Sequence, residues 1–261
     1  MRALIAIDIG NTDTVVGISR GKRLGAQVRF PSAKARNTAF ARRTLRRFLQ
    51  QNGAGAESVR GVVISSVVPQ ITSVFVRESK RLFNFSPLLI NGSLDIGMPI
   101  RYQIPKKLGP DRICNAVAAY TKYGGPCIVI DLGTATTFDA VSRKGEFLGG
   151  AIAAGIATAT NALFLKTSLL PGVKLAFPTK VIGTNTVTNI QSGVLFGALD
   201  ALDGMVRRIK KKIGQNATVI ATGGFSHLLA RRSKTIDHIE PTLVLEGARL
   251  IYERLQRGRR R

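Results

Sequence analysis

Two stretches of this chain put a carboxylate, a glycine and a group of hydroxyls at the end of an apolar run: IAIDIGNTDTVVGI at 5–18 and CIVIDLGTATTFDAV at 127–141. An Asp at a strand end can hold a metal ion, or a water on one, while the Gly two residues on lets phosphate oxygens approach backbone N–H groups. Thr12, Thr14, Thr134, Thr136 and Thr137 add hydroxyl donors. One copy of the pattern reads better as a tight hairpin turn. Two copies, with ATGGFS at 221–226 after a further strand, favour phosphate binding, and two such hairpins facing one another would grip a polyphosphate from both sides. The glycines of the last stretch would admit a nucleoside at the start of a helix. No GxxxxGK[ST] occurs, so the chain has no Walker loop.

The elements that must position these residues alternate in kind. Apolar and β-branched runs predict strands at 3–9, 13–19 and 23–30, helical periodicity covers 36–51, and GVVISSVV at 61–68 reads as a buried strand ended by Pro69, which opens a helix. A further helix begins at Pro110. The second half repeats the order: strands near 126–132, 136–142 and 146–153, a helix after Gly155, a long helix over 186–212, a strand at 217–221, then helices. With a shift of 123, Ile5, Ile7, Asp8, Gly10, Thr14 and Ser19 fall on Ile128, Ile130, Asp131, Gly133, Thr137 and Ser142. A duplicated three-strand meander explains the match, in an α/β protein of two domains, 1–115 and 116–261, with a cleft between them.

Composition sets the class. At 261 residues and 44% hydrophobic content the chain can bury substantial cores. No apolar stretch is long enough for a membrane helix and the N-terminus lacks a signal peptide's apolar core, so a cytoplasmic protein away from membranes is expected. Cys114 and Cys127 have neither the spacing nor the neighbours of a zinc site and read as buried thiols. The net charge of +24, from 39 Lys and Arg against 15 Asp and Glu, raises nucleic acid as a partner. Yet RRTLRR at 42–47 and RRIKKK at 207–212 ride on helices with an apolar opposite face, and aromatics are only 6%; solvated helix faces are the simpler reading, and nucleic acid is not expected.

The ordered set IDIGNT, LGPDR, IDLGTATTFD, GGAIAAGI, GTNT and ATGG resembles the type III pantothenate kinases, members of the sugar-kinase, Hsp70 and actin superfamily. The resemblance runs from Asp8 to about Tyr252. It implies duplicated ribonuclease H-like (actin-like ATPase) domains and ATP-dependent phosphorylation of the 4′-hydroxyl of pantothenate, the first step towards coenzyme A. It also implies a homodimer, Mg²⁺ with the nucleotide, and a monovalent cation, K⁺ or NH₄⁺.

Residue roles follow from the matched positions. The resemblance makes Asp8, Ile9, Gly10, Asn11, Thr12, Asp13, Thr14 and Val15 the first phosphate loop, with Asp8 near the divalent cation. Asp131 matches the monovalent-cation ligand and Thr134 a second contact to ATP. Tyr102, Gly109, Pro110, Asp111, Arg112 and Thr186 match the substrate site, Thr186 reaching it from the neighbouring subunit, and Asp111 matches the catalytic base. A carboxylate serves as that base only within hydrogen-bond reach of the attacking hydroxyl. Arg112 next to it can hold the substrate carboxylate or developing phosphoryl charge. Read without the family, Asp111 is a helix-start carboxylate favoured by the dipole, Arg112 a solvated first-turn charge, and Thr186 an N-cap.

The sequence departs from the family pattern at Pro110, where Ala is usual, and at Ala154, where Pro is common. Neither change removes a side chain assigned to the chemistry. Two other readings remain at this stage: a kinase of the same fold with a different small hydroxylated acceptor, and a nucleotide-binding accessory protein without turnover.

Overall fold

The segment ALIAIDI, strand β1 (Ala3–Ile9), is buried at every position but Asp8, as a central strand covered on both faces requires. A computed structural model describes residues 2–258, so the end of the basic tail at 257–261 lies outside the described residues. The chain divides into two compact units, Met1–Thr121 with Thr242–Arg261, and Lys122–Pro241.

In the first unit β1 is followed by β2 (Asp13–Arg20), β3 (Arg23–Pro31), helices α1 (Ser32–Ala35) and α2 (Thr38–Gln51), β4 (Val59–Ser66), α3 (Pro69–Phe83), β5 (Leu88–Leu89) and α4 (Pro110–Tyr123). The sheet order is β3-β2-β1-β4-β5, with the first three strands an antiparallel meander and β4 parallel to β1. Helix α2 starts at Asn37, whose side chain accepts from Phe40 N, and α3 starts with Pro69 in its first turn, where a missing N–H costs nothing. Ile5, Ile7, Ile9, Val16 and Ile64 on one face of the sheet form a core with Leu45 and Phe48 of α2 and Ile71 and Phe75 of α3.

The second unit carries β6 (Cys127–Leu132), β7 (Ala135–Val141), β8 (Phe147–Ala154), α5 (Ile156–Lys166), α6 (Thr186–Ile213), β9 (Thr218–Thr222), α7 (Ser226–Ala230) and β10 (His238–Ile239). Its sheet, β8-β7-β6-β9-β10, has the same topology as the first: a meander with the next strand parallel to the head strand. The core gathers Ile128, Ile130 and Phe138 against Leu195, Leu202 and Val206 of α6.

The last helix, α8 (Leu243–Gly258), belongs to the first unit, whereas a division at 115/116 falls inside α4 and leaves α8 with the second half. Leu245 meets Gly17 of β2, and Tyr252 lies over Gly61 of β4 and donates its hydroxyl to Arg60 O at 3.0 Å. The apolar stripe of α8 is legible in sequence, but it does not say which of two like sheets it covers.

One further expectation changes. The N-cap of α6 is Asn185, in a capping box with Thr188, and Thr186 is the exposed first helical residue. Gly193 and Gly197 of α6 face open space; a Cβ at either would meet nothing within 4 Å. Both cysteines are buried free thiols. Among the described residues no helix is long and apolar enough to cross a membrane.

Candidate functional site

In the first unit the site residues converge at the ends of β1 and β4. Asp8 lies beside Ser65 in the parallel register, and the buried Ser65 hydroxyl donates to Asp8 Oδ1 at 3.1 Å. The Cys114 thiol of α4 completes this group: burial raises its pKa, the charges of Asp8 and Asp111 add to the rise, and a Ser65 hydrogen bond opposes it. Ser65 and Cys114 were not picked out by motif; the only sequence signal for Ser65 is that β4 ends in two serines.

Asp111 stands in the first turn of α4 and accepts from Arg112 N at 2.8 Å. Its Oδ1 packs so closely on Gly109 that a Cβ there would come within 2.4 Å. Burial raises the Asp111 carboxyl above its ordinary pKa, against the opposing pull of the Arg112 N–H and guanidinium. Arg112 is 7% exposed, which excludes a solvated first-turn charge, and its guanidinium carbon lies 6.0 Å from the centre of the Tyr102 ring. Tyr102, Gly109, Pro110, Asp111 and Arg112 thus form one continuous group, with a carboxylate and a guanidinium side by side.

The loop between β1 and β2 divides its residues by function. Gly10 N donates to Asp13 O at 2.9 Å, and the tip residues Asn11 and Thr12 are exposed. Ile9 and Val15 are core residues, and buried Thr14 shares a 2.9 Å hydrogen bond with Ser32. Ser32 in turn donates to Gly10 O at 2.6 Å. Asp13 pairs with Arg29 at 3.2 Å. Asn11 and Thr12 are thus the exposed side chains of this loop.

In the second unit Asp131 lies opposite Thr137 on β7 and Thr222 on β9. Cross-strand partners share a face. The Thr137 Oγ1 is buried without a hydrogen-bond partner, so an unsatisfied oxygen stands on the face of the Asp131 carboxylate. Two glycines crowd the turn that follows: a Cβ on Gly223, at φ +88°, would lie 2.5 Å from Asp131 Oδ1, and one on Gly155 would strike Thr134 O. Thr134 O also accepts from Gly155 N at 3.1 Å and from Thr158 Oγ1 at 2.6 Å. Thr186 is on exposed backbone at the start of α6.

Among the described residues no three His, Cys, Asp or Glu side chains are grouped to hold a metal. One carboxylate, Asp8, with hydroxyl support suits a Mg²⁺ ion that takes its remaining oxygens from phosphates and water. Asp131 and the unsatisfied Thr137 hydroxyl put hard oxygens on one face of the second sheet.

The matches to known proteins agree with this chemistry. A sequence model described as type III pantothenate kinase matches residues 4–208. The type III pantothenate kinase of Moorella thermoacetica is 43% identical over 251 residues, 96% of this chain and 99% of that protein. That of Geobacter sulfurreducens is 45% identical over 96% of this chain and 98% of its own length. A solved structure of the activator of 2-hydroxyisocaproyl-CoA dehydratase from Clostridium difficile with bound ADPNP superposes with a TM-score of 0.57 at 14% identity, covering 99% of this chain and 98% of that one. Its likeness is one of fold, the duplicated α/β architecture of the actin-like ATPases. With its motifs in order and its relatives matched over nearly their whole length, the chain belongs to the type III pantothenate kinase family.

Proposed function

We propose that this protein transfers the γ-phosphoryl group of ATP to the 4′-hydroxyl of pantothenate, the first step of coenzyme A synthesis, with Asp111 as general base. The observation that carries the reading is the half-buried Asp111 carboxyl, raised in pKa by desolvation, beside the buried Arg112 in a family member. A raised carboxyl is a stronger base than an exposed Asp. Asp111 takes the 4′-hydroxyl proton as that oxygen bonds to the γ-phosphorus and the bond to the ADP oxygen breaks. Arg112 holds the pantothenate carboxylate or the phosphoryl oxygens as a fork, and Tyr102 and Gly109 shape the pocket around it. Asn11 and Thr12 bind the ATP phosphates through backbone and side-chain donors, Gly10 has no Cβ to keep the phosphates away, Ile9, Asp13, Thr14 and Val15 form the loop's frame, and Thr134 belongs to the second unit's own phosphate loop.

Asp8 would hold Mg²⁺ bound with ATP, which would neutralise phosphate charge, and Asp131 with Thr137 would hold K⁺ or NH₄⁺. A homodimer is favoured by the exposed apolar residues of the second unit, with Leu169 at 91%, Ile182 at 84% and Leu165 at 74% exposure, near the open Gly193 and Gly197. In that assembly Thr186 is offered to the partner's substrate.

The testing measurement is ADP release from ATP with and without pantothenate, each with K⁺, NH₄⁺ or neither. Pantothenate-dependent release that needs one of the two cations is expected. No such release under any cation removes the substrate assignment.

Ser65 is a positioning residue in this scheme, since its hydroxyl fixes the rotamer of Asp8. Ser65→Ala is expected to raise the Mg²⁺ concentration needed for half-maximal rate by about tenfold, the loss typical of a residue that orients a metal ligand. Ser65→Thr, which restores the hydroxyl, is expected to recover most of it. A fall in unfolding midpoint without a change in Mg²⁺ dependence would make Ser65 a packing residue.

A further inference from the structure

Most of the cations behind the +24 charge lie outside the residues assigned to phosphoryl transfer. The basic run of α2 alone is a solvated face; the tertiary structure sets it beside further cations on α3. Helices α2 and α3 lie on the same face of the first sheet, tied by the Arg42 Nε–Glu78 Oε2 pair at 2.7 Å and by Arg77 Nη2 donating to Thr38 Oγ1 at 2.8 Å. Their outward sides expose Arg43, Arg46 and Arg47 of α2 and Arg77, Lys80 and Arg81 of α3. The single acid on the two helices is Glu78, which is 1% exposed and engaged by Arg42. Like charges are thus assembled on one surface with no exposed acid among them.

We propose that this α2–α3 face binds the phosphodiester backbone of a nucleic acid without reading its sequence. Five of the six exposed cations are Arg, whose planar fork matches phosphate oxygens bidentately. A cavity of about 660 Å³ beside α3 is lined by Arg77 and Lys80, by Ser66, Thr72 and Ser73, and by the apolar Pro69, Val76 and Leu89. The apolar sides of both helices are spent in the core, whereas a helix that binds a membrane surface offers that side to the bilayer. Neither helix exposes an aromatic ring, since Phe48, Phe75 and Phe83 are buried and Phe40 packs edge-to-face on Phe30 at 5.4 Å. Without a stacking platform the surface has no means of preferring single strands or particular bases.

The test is equilibrium binding of a labelled 25-base-pair DNA, the same duplex in RNA, and anionic phospholipid vesicles, over 50–300 mM salt. Wild type is compared with R43Q/R46Q/R47Q, with R46Q/K80Q/R81Q as a second variant of the face, and with R208Q/K211Q/K212Q, whose residues are exposed on α6. DNA and RNA are expected to bind alike. Each α2–α3 variant is expected to weaken binding at least tenfold at 100 mM salt and to flatten the log–log salt slope by about 2 to 3. The α6 variant is expected to stay within threefold of wild type, with unfolding midpoints unchanged throughout. The proposal is overturned by absence of nucleic-acid binding at 50 mM salt, by equal loss in the α6 variant, or by binding to vesicles alone.

Discussion

Asp111→Asn is expected to lower kcat by about a thousandfold, with KM for pantothenate changed by less than about threefold, while raising the unfolding midpoint. The amide keeps the size of the carboxylate and an oxygen for the Arg112 N–H, so the first turn of α4 is preserved. What it loses is the capacity to take a proton. The stability effect has the opposite sign because burial raises the Asp111 pKa. A carboxyl raised by the fold contributes stability below its unfolded pKa and loses that contribution as pH rises through the folded value. Above its folded pKa the ionised group is therefore a cost that Asn does not carry. In the wild type the acid limb of kcat/KM is expected at higher pH than an exposed Asp would give, since the base must be ionised. Steady-state rates from pH 4 to 8 with thermal melts of both proteins check all three statements. More than a tenth of the wild-type kcat in the variant would exclude Asp111 as base.

Gly247→Ala is expected to damage the same site from behind. Gly247 on α8 touches the backbone of α4 so closely that a Cβ would lie 1.9 Å from Cys114 O. That atom is backbone and cannot swing aside, so the two helices must part by more than 1 Å. Overpacking of this kind costs about 3 kcal/mol. The helix preference for Ala over Gly returns about 1 kcal/mol. The net loss of about 2 kcal/mol corresponds to an unfolding midpoint about 4 to 8 °C lower. Because α4 carries Asp111, Arg112 and Cys114, the displacement is expected to reduce kcat/KM by as much as about a hundredfold. A variant with wild-type midpoint and rate would show that α8 does not set the position of α4.

Much of the candidate site was legible because its residues are local in sequence. IDIGNT, LGPDR and IDLGTATTFD each hold their groups within one turn or strand end, where period and turn chemistry fix geometry without help from distant residues. The strand and helix order also followed from pattern, and observed boundaries such as Pro69 and Pro110 coincide with residues whose backbone chemistry allows little else. Ser65 escaped because its role depends on which strand lies next to β1, and Arg112 looked like a solvated charge because burial at a helix start is set by loops that pack over it.

The sequence by itself determined the duplication, the order of elements and the family. Only the tertiary structure decided three matters. It placed α8 on the first sheet, a choice between two like surfaces that an apolar stripe cannot make. It brought α2 and α3 together, turning two solvated helix faces into one cationic surface. It also separated the two halves of the repeat. Thr14 and Thr137 are equivalent in sequence, yet Thr14 pairs with Ile9 and Thr137 with Asp131, because the first hairpin turns through Gly10–Thr12 and the second through Gly133–Thr134 alone. Side chains alternate across a strand, so this one-residue slip sends one threonine towards the core and Ser32, and the other to the carboxylate. Two hairpins that match residue for residue thereby carry different chemistry.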